Sequence, residues 1–406
     1  MSPSNIFRTR VPFKEFAPAM ALVFNSLVWY TLTYATLTSA VETLGLTTTE
    51  TFMLFGMYYC GVLVAALVGA WFFPRWRDKG LLLWMFLGTI MTALLFSFQS
   101  NSLSVNLLLL FFLGVSIGIG LPSSLAYFAD VTVVDNRGTY GGITWSTVGF
   151  GILVLALALS EFNLLWTCSA LAIWRVGGLV SFFALSKLRG KREPPHSSSS
   201  YRAILRRRDV MLYLLPWIMF SLVNFTEEPI LGNLFGELQV LIGFVEFAIT
   251  GVFAVVGGIL ADLVGRKRVV IIGFVVLGIE YAVLSLFSGT VASWYVYTVC
   301  DGIAWGMFAA VFFMTLWGDL AENNQKEKYY VLGGLPYLLA GFLPVLVKPF
   351  VGGIQTTIAF SLASFFLFLA VLPLMYAPET LPEKKIRERE LKEYIKRARK
   401  TKEKYT

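Results

Sequence analysis

The sequence predicts an all-α membrane protein of twelve transmembrane helices, and three observations predict it. Hydrophobic residues make up 57% of the 406-residue chain and mean hydropathy is +0.70, far above a soluble domain. Apolar segments near the roughly 20 residues that a helix needs to cross a bilayer recur along almost the whole length. Lys and Arg collect between alternate segments, almost all on one side.

The spans read near residues 18–38, 52–73, 80–99, 104–128, 140–160, 164–186, 211–232, 239–261, 269–288, 292–317, 329–348 and 355–376. With the amino terminus inside, the cytoplasmic segments hold 31 of the 33 Lys and Arg residues, leaving Arg175 within a span and Lys348 near an outer end. Outer loops such as 97–105 and 288–293 carry no basic residue. Both termini are therefore expected in the cytoplasm. The first 17 residues, with Arg8, Arg10, Lys14, Pro3 and Pro12, do not read as a cleavable signal peptide. The net charge of +8 sits mostly between residues 187 and 209 and after Pro378. There it meets anionic lipid headgroups rather than nucleic acid.

Residues 258–268 form an apolar, glycine-rich helix end that stops at Asp262 and turns through Gly265 into Arg266, Lys267 and Arg268. A shift of 189 positions sets Gly69 on Gly258, Arg77 on Arg266, Lys79 on Arg268 and Asp130 on Asp319, so the chain is built of two repeated halves. The echo fails at Phe73, opposite Asp262, and at Trp76, opposite Gly265. Gly258, Ala261, Asp262, Gly265, Arg266 and Lys267 closely resemble the loop motif of the major facilitator superfamily of secondary transporters. Leu263 stands where that motif usually has a basic residue. Arg137-Gly138 after span four also resembles the family's loop, while its counterpart around residues 326–328 is not a clean match. Pro378-Glu379-Thr380 resembles the run that follows the last helix in many members.

The resemblance implies two pseudo-symmetric six-helix bundles: residues 1–187 and 211–378, joined by a cytoplasmic linker, 188–210, and followed by a basic cytoplasmic tail, 379–406. The polar run 190–200, with four serines and two prolines, supports the boundary. A charged helix over 381–403, with Ile386, Leu391, Tyr394 and Ile395 on one stripe, is expected in the tail. The resemblance also implies a cytoplasmic latch. Asp262 would accept hydrogen bonds from a helix start in the opposite half, and Arg266 would pair with Asp319 or Glu322. Arg77 would pair with Asp130 in a first-half latch weakened by Phe73, which accepts no hydrogen bond.

Transport chemistry is sought among ionisable groups inside the spans, because charge at mid-membrane costs roughly 2.5–3.5 kcal/mol on insertion scales and needs a partner or a watery cavity. The candidates are Arg175, Glu227, Glu228, Glu246, Glu280 and Asp301. In the family, helices one, four, seven and ten line the cavity, which raises Glu227, Glu228 and Asp301 and lowers Arg175 and Glu280. Pro229 removes a backbone donor and disfavours helix before it, so span seven either breaks at Glu227-Glu228 or ends there, leaving both in an outer loop. Asn25, Trp29 and Thr33 share one face of span one, with Tyr30 and Tyr34 beside it. Span four adds Ser116, Ser123, Ser124 and Tyr127, and span ten adds Trp305. Such a lining suits a polar organic solute or an organic cation, or serves ordinary helix packing.

The expected function is secondary active transport of a small organic solute by alternating access, coupled to protons, with no cofactor and no metal. The only histidine, His196, lies in the linker, and Cys60, Cys168 and Cys300 fall in separate spans without paired spacing. No Gly-x-Ser-x-Gly elbow or phosphate-binding loop is present, so an enzyme is not expected. A transporter-like solute receptor and a drug or cation efflux antiporter are the alternatives. The proline-containing glycine motif of many drug antiporters is missing around Gly142, Gly149 and Gly151.

Overall fold

The computed structural model describes residues 11–186, 200–322 and 325–381. Most of the linker, 187–199, and the tail beyond Leu381, with its expected charged helix, lie outside the described residues. Among the described residues, eleven helical segments are long and apolar enough to cross a membrane. One of them, Arg208–Val264, has 57 residues. As a single helix it would extend about 85 Å, nearly three times a bilayer core of about 30 Å. It folds back at Gly236, whose φ of 52° favours glycine, into Arg208–Phe235 and Gln239–Val264. That fold-back makes the number of spans twelve.

In chain order, spans one to six are Phe13–Thr43, Thr48–Arg75, Arg77–Ser100, Leu103–Val131, Arg137–Leu159 and Leu164–Leu185. Spans seven and eight are the two arms of the folded segment. Spans nine to twelve are Arg266–Phe287, Val291–Leu320, Lys326–Gly353 and Thr356–Tyr376. Local signals set several ends. Thr47 and Glu50 form a capping box at the start of span two, the Thr47 amide donating to Glu50 Oε2 at 2.9 Å. Phe73-Pro74 stops the same span. Leucine, isoleucine, valine and aromatic side chains such as Leu108, Phe112, Val154, Trp166, Ile173 and Leu286 face outward, where hydrocarbon rather than water satisfies them.

Span seven corrects the expectation at Glu227-Glu228-Pro229. The helix runs unbroken through both Pro216 and Pro229. A proline removes one backbone donor and biases its predecessor; packing on both sides overrides that bias here. The breaks lie elsewhere. Span four turns at Gly120, where a β-carbon would stand 2.1 Å from the Trp84 ring. Span ten loosens into π-helix over Ala309–Phe313, and Thr315 Oγ1 donates to the Ala310 carbonyl at 2.6 Å. Ala309 lies 189 positions after Gly120, so the two repeats break at matching places.

The halves meet chiefly where span five packs on span eight and span two on span eleven. Span five approaches span eight on glycine. A β-carbon on Gly258 would come within 2.2 Å of the Gly138 carbonyl oxygen, and one on Gly142 within 2.1 Å of that of Ala254. Only small residues let helices come this near, and the gain is close van der Waals packing between the halves. Gly258→Ala is therefore expected to cost about 1–3 kcal/mol of overpacking. A fall in the thermal unfolding temperature of the purified protein checks this, and an unchanged one would contradict the close approach.

Candidate functional site

Two constellations carry chemistry: an ionic network where Lys and Arg collect, called here the basic end, and a group of carboxyls inside the second half. The network is built on helix ends. Asp262, near the last turn of span eight, accepts hydrogen bonds from the Gly138 and Thr139 amides at 2.9 and 2.6 Å. These amides open span five in the opposite half and have no partner within their own helix, so a carboxylate suits them in both hydrogen bonding and dipole. Gly265, at φ 106°, turns the chain so that Arg266 folds back to Asp262 at 2.9 Å. The Arg266 Nε reaches Asp319 Oδ2 at 3.1 Å, and its guanidinium also donates to the Val134 carbonyl of the other half.

Asp319 also receives Arg137, from the start of span five. Its repeat partner, Asp130, receives Arg77 from its own half and Lys326, at 2.8 Å, from the start of span eleven. Lys326 lies 189 positions after Arg137, so it is the counterpart that the sequence reading did not match cleanly. Each half therefore sends one cation from the start of its fifth helix into the acid of the other. The sequence signal was the spacing, obscured by the exchange of Arg for Lys.

The first-half latch differs from expectation. Phe73 is buried and its ring lies where a β-carbon on Gly80 would meet it at 3.0 Å. Arg77 instead gains a second acid, Glu327, at the start of span eleven. Gly69 serves close packing, a β-carbon there falling 1.9 Å from the Ile119 carbonyl oxygen of span four. Glu322 pairs with Arg207 at 3.0 Å rather than with Arg266. The Asp209 carboxylate, followed by Tyr329 and Glu322, holds the Arg207 guanidinium above its ordinary range, so it stays charged.

One contact was missed by sequence reasoning although its residues were noted. Glu379, within the Pro378-Glu379-Thr380 run, accepts from the Arg266 and Lys267 amides at 2.8 and 3.1 Å. It caps span nine as Asp262 caps span five. Lys267 Nζ closes the contact by donating to the Met375 and Ala377 carbonyls at 2.8 and 2.9 Å.

The interior carboxyls come from four consecutive spans. Glu246 of span eight, Glu280 of span nine and Asp301 of span ten are within interaction distance of one another, and Glu228 of span seven is within electrostatic reach of Glu246. Glu280, set aside by the family analogy, is thus brought to Asp301. Glu227 and Glu228 point apart, as adjacent helical positions do: Glu227 is buried and Glu228 exposed. Glu228 is within electrostatic reach of Tyr34 of span one and Tyr337 of span eleven, and Phe225, one turn before it, lies 5.1 Å from the Tyr337 ring. The sequence offers these acids no nearby cation, since 209–265 and 269–325 contain no Lys or Arg.

Two clusters of aromatic rings come within electrostatic reach of Glu228, one through Tyr337 and one through Tyr34. Tyr337 lies 5.7 Å from Trp305 and 4.8 Å from Phe313, which stacks on Trp145 at 4.8 Å. Tyr34 packs with Tyr30, Tyr58 and Tyr59, receives a hydrogen bond from Tyr59 at 2.8 Å, and donates to the Gly341 carbonyl of the second half at 3.2 Å. No group of three or more His, Cys, Asp or Glu among the described residues could hold a metal ion.

The other span-one candidates are engaged inside the first half. Arg175 is fully buried, its guanidinium 4.3 Å from the Trp29 ring and 4.4 Å from that of Trp84. It donates to Asn25 Oδ1 at 3.0 Å and Ser26 Oγ at 2.7 Å. Asn25 also donates to the Trp174 carbonyl at 2.7 Å, and Trp29 to Thr92 at 2.7 Å. Thr33 is buried with its hydroxyl unpartnered. Spacing of four placed these residues on one face but could not say which neighbour that face meets.

No protein-family model and no curated protein matches the sequence. Among solved structures, the chain is similar to that of the Escherichia coli fucose:proton symporter FucP, at 13% identity and a TM-score of 0.66, covering 89% of this chain and 98% of that one. It is also similar to a structure of FucP, a major facilitator superfamily transporter, in the outward conformation, at 12% identity and the same score and coverage.

Proposed function

We propose that this chain, a multi-pass integral membrane protein with the fold of major facilitator superfamily transporters, is a secondary active transporter that moves a small organic solute in exchange with, or together with, protons. One observation carries the reading: Glu246, Glu280 and Asp301 form an all-carboxyl group inside the second half, without a neighbouring cation in sequence, and Glu228 extends it toward the first half. Carboxylates packed together in a low-dielectric interior repel when all are ionised, so a proton is their natural counter-ion. A group that meets one compartment and then the other can carry that proton.

The network at the basic end supplies the gate. Its contacts cross between the halves by hydrogen bonds and ion pairs at helix ends, which water can replace when the ends part. The glycine-lined contact of spans five and eight offers a surface on which the halves can rock. By charge bias the basic end and both termini face the cytoplasm, where the basic linker and tail meet anionic headgroups. Solute is held near Glu228, Glu246, Asp301, Tyr34 and Trp305.

Counterflow tests transport itself. Proteoliposomes loaded with unlabelled solute, from a panel of sugars, amino acids, organic acids and organic cations, are expected to accumulate the labelled form of at least one. A solute that binds the purified protein but never shows counterflow would make the chain a receptor on a transporter fold.

A further inference from the structure

We propose that Arg175 binds a small inorganic anion of the chloride class, held inside the first half at the Nε–Nη2 edge of the guanidinium. This site is separate from the carboxyl group of the second half and does not depend on which solute moves. Hydrogen bonding, charge and shape each point to it.

A guanidinium carries five N–H donors in a planar fork. Nη1 donates to Asn25 Oδ1 and Ser26 Oγ, which uses both of its hydrogens. Nε and Nη2 have no hydrogen-bond partner among the described residues, although Arg175 is 0% exposed. The donors left over include the parallel pair on one edge of the fork, the pair with which arginine takes anions in a bidentate way. A buried donor without an acceptor is costly, so an acceptor belongs at that edge.

Charge decides what kind of acceptor it is. The acids of spans one to six are Glu15, Glu42, Glu50, Asp78 and Asp130, and each lies within three residues of a span end. Arg175 lies near the middle of span six, so the first half supplies no counter-charge at its depth. A water molecule satisfies N–H groups but leaves a buried charge uncompensated. An anion does both.

Shape limits the size of the anion. Trp29 and Trp84 cover the guanidinium at 4.3 and 4.4 Å and hold the cation by their rings. Each ring is pinned by its own N–H, Trp29 donating to Thr92 Oγ1 at 2.7 Å and Trp84 to the Ser116 carbonyl at 2.6 Å. Beside Nε the chain carries a glycine: a β-carbon on Gly88 of span three would stand 3.2 Å from Nε and 3.0 Å from the Trp29 ring. Enclosure this close suits an ion of one atom rather than a carboxylate with its carbon frame.

Equilibrium dialysis of radiolabelled chloride against the purified full chain, with thermal unfolding in sodium chloride and in sodium gluconate at equal concentration, tests this. Chloride is expected to bind and to raise the unfolding temperature along a saturating curve, as a ligand of the folded state does, while the bulkier gluconate does not. Asn25→Asp sets a carboxylate where Asn25 Oδ1 already meets Arg175; it gives up the bond to the Trp174 carbonyl but supplies the counter-charge from within the chain. Its chloride affinity is expected to fall tenfold or more. Arg175→Gln is expected to lose chloride binding altogether, and Glu42→Gln, at the exposed pair with Lys348, to keep it. Unfolding in gluconate shows which variants are folded, and Asn25→Asp decides where Arg175→Gln is not. No chloride binding by the wild type, equal unfolding temperatures in the two salts, or unchanged chloride affinity in folded Asn25→Asp or Arg175→Gln would overturn the proposal.

Discussion

Asp262→Asn opens the basic end of the molecule. The carboxylate joins three groups at once, the Gly138 and Thr139 amides of span five and the Arg266 guanidinium, and two of these lie in the opposite half. Asparagine keeps one acceptor oxygen but places an amide donor against an N–H or a cation, and it removes the charge that complements the helix dipole. Charge-assisted hydrogen bonds contribute about 1.5–3 kcal/mol, so closure is expected to weaken by roughly 2 kcal/mol, or about thirtyfold in the closed-to-open ratio. Disulfide cross-linking between cysteines placed either side of the basic end, in a chain freed of Cys60, Cys168 and Cys300, reads that ratio. Wild-type cross-linking together with normal transport would refute the latch. Phe73→Asp does not restore a mirror latch, because Phe73 is buried against Gly80 while Glu327 already serves Arg77; it is expected to lower stability instead.

Asp301→Asn separates coupling from movement. Asp301 is buried between Glu246 and Glu280, where the amide keeps the shape and some hydrogen bonding but cannot exchange a proton. Uphill accumulation and its pH dependence are expected to disappear. Solute exchange is expected to persist, since exchange never returns an empty, deprotonated carrier. A purely structural Asp301 would leave all three unchanged in the asparagine variant.

The architecture was legible because the bilayer demands long apolar helices and confines basic residues to one side. All twelve predicted spans coincide with helices, and the repeat of 189 positions matches Asp130 with Asp319 and Arg77 with Arg266. What escaped was partner choice. The pattern Asn25, Trp29, Thr33 defines a face, but Arg175, 150 positions from Asn25, decides what that face meets. Glu280 was ranked low by helix number, although its place on span nine brings it to Asp301. Pro229 argued for a break that packing suppresses, while span ten breaks at an Ala-Ala-Val-Phe-Phe run with neither proline nor glycine. Helix starts told a similar story. Arg137 and Lys326 do equivalent work with different side chains, and Glu379 caps span nine from more than a hundred residues away.

The central claim is that the carboxyl group of the second half carries the proton that solute movement is tied to. Proton movement driven by a solute gradient, followed with a pH-sensitive dye trapped in proteoliposomes, tests it most directly. The account predicts that the wild type moves protons when its solute is added and that Asp301→Asn does not, with Glu228→Gln and Glu227→Gln made separately to show which neighbour contributes. Proton flux that is unchanged in all three variants would contradict it.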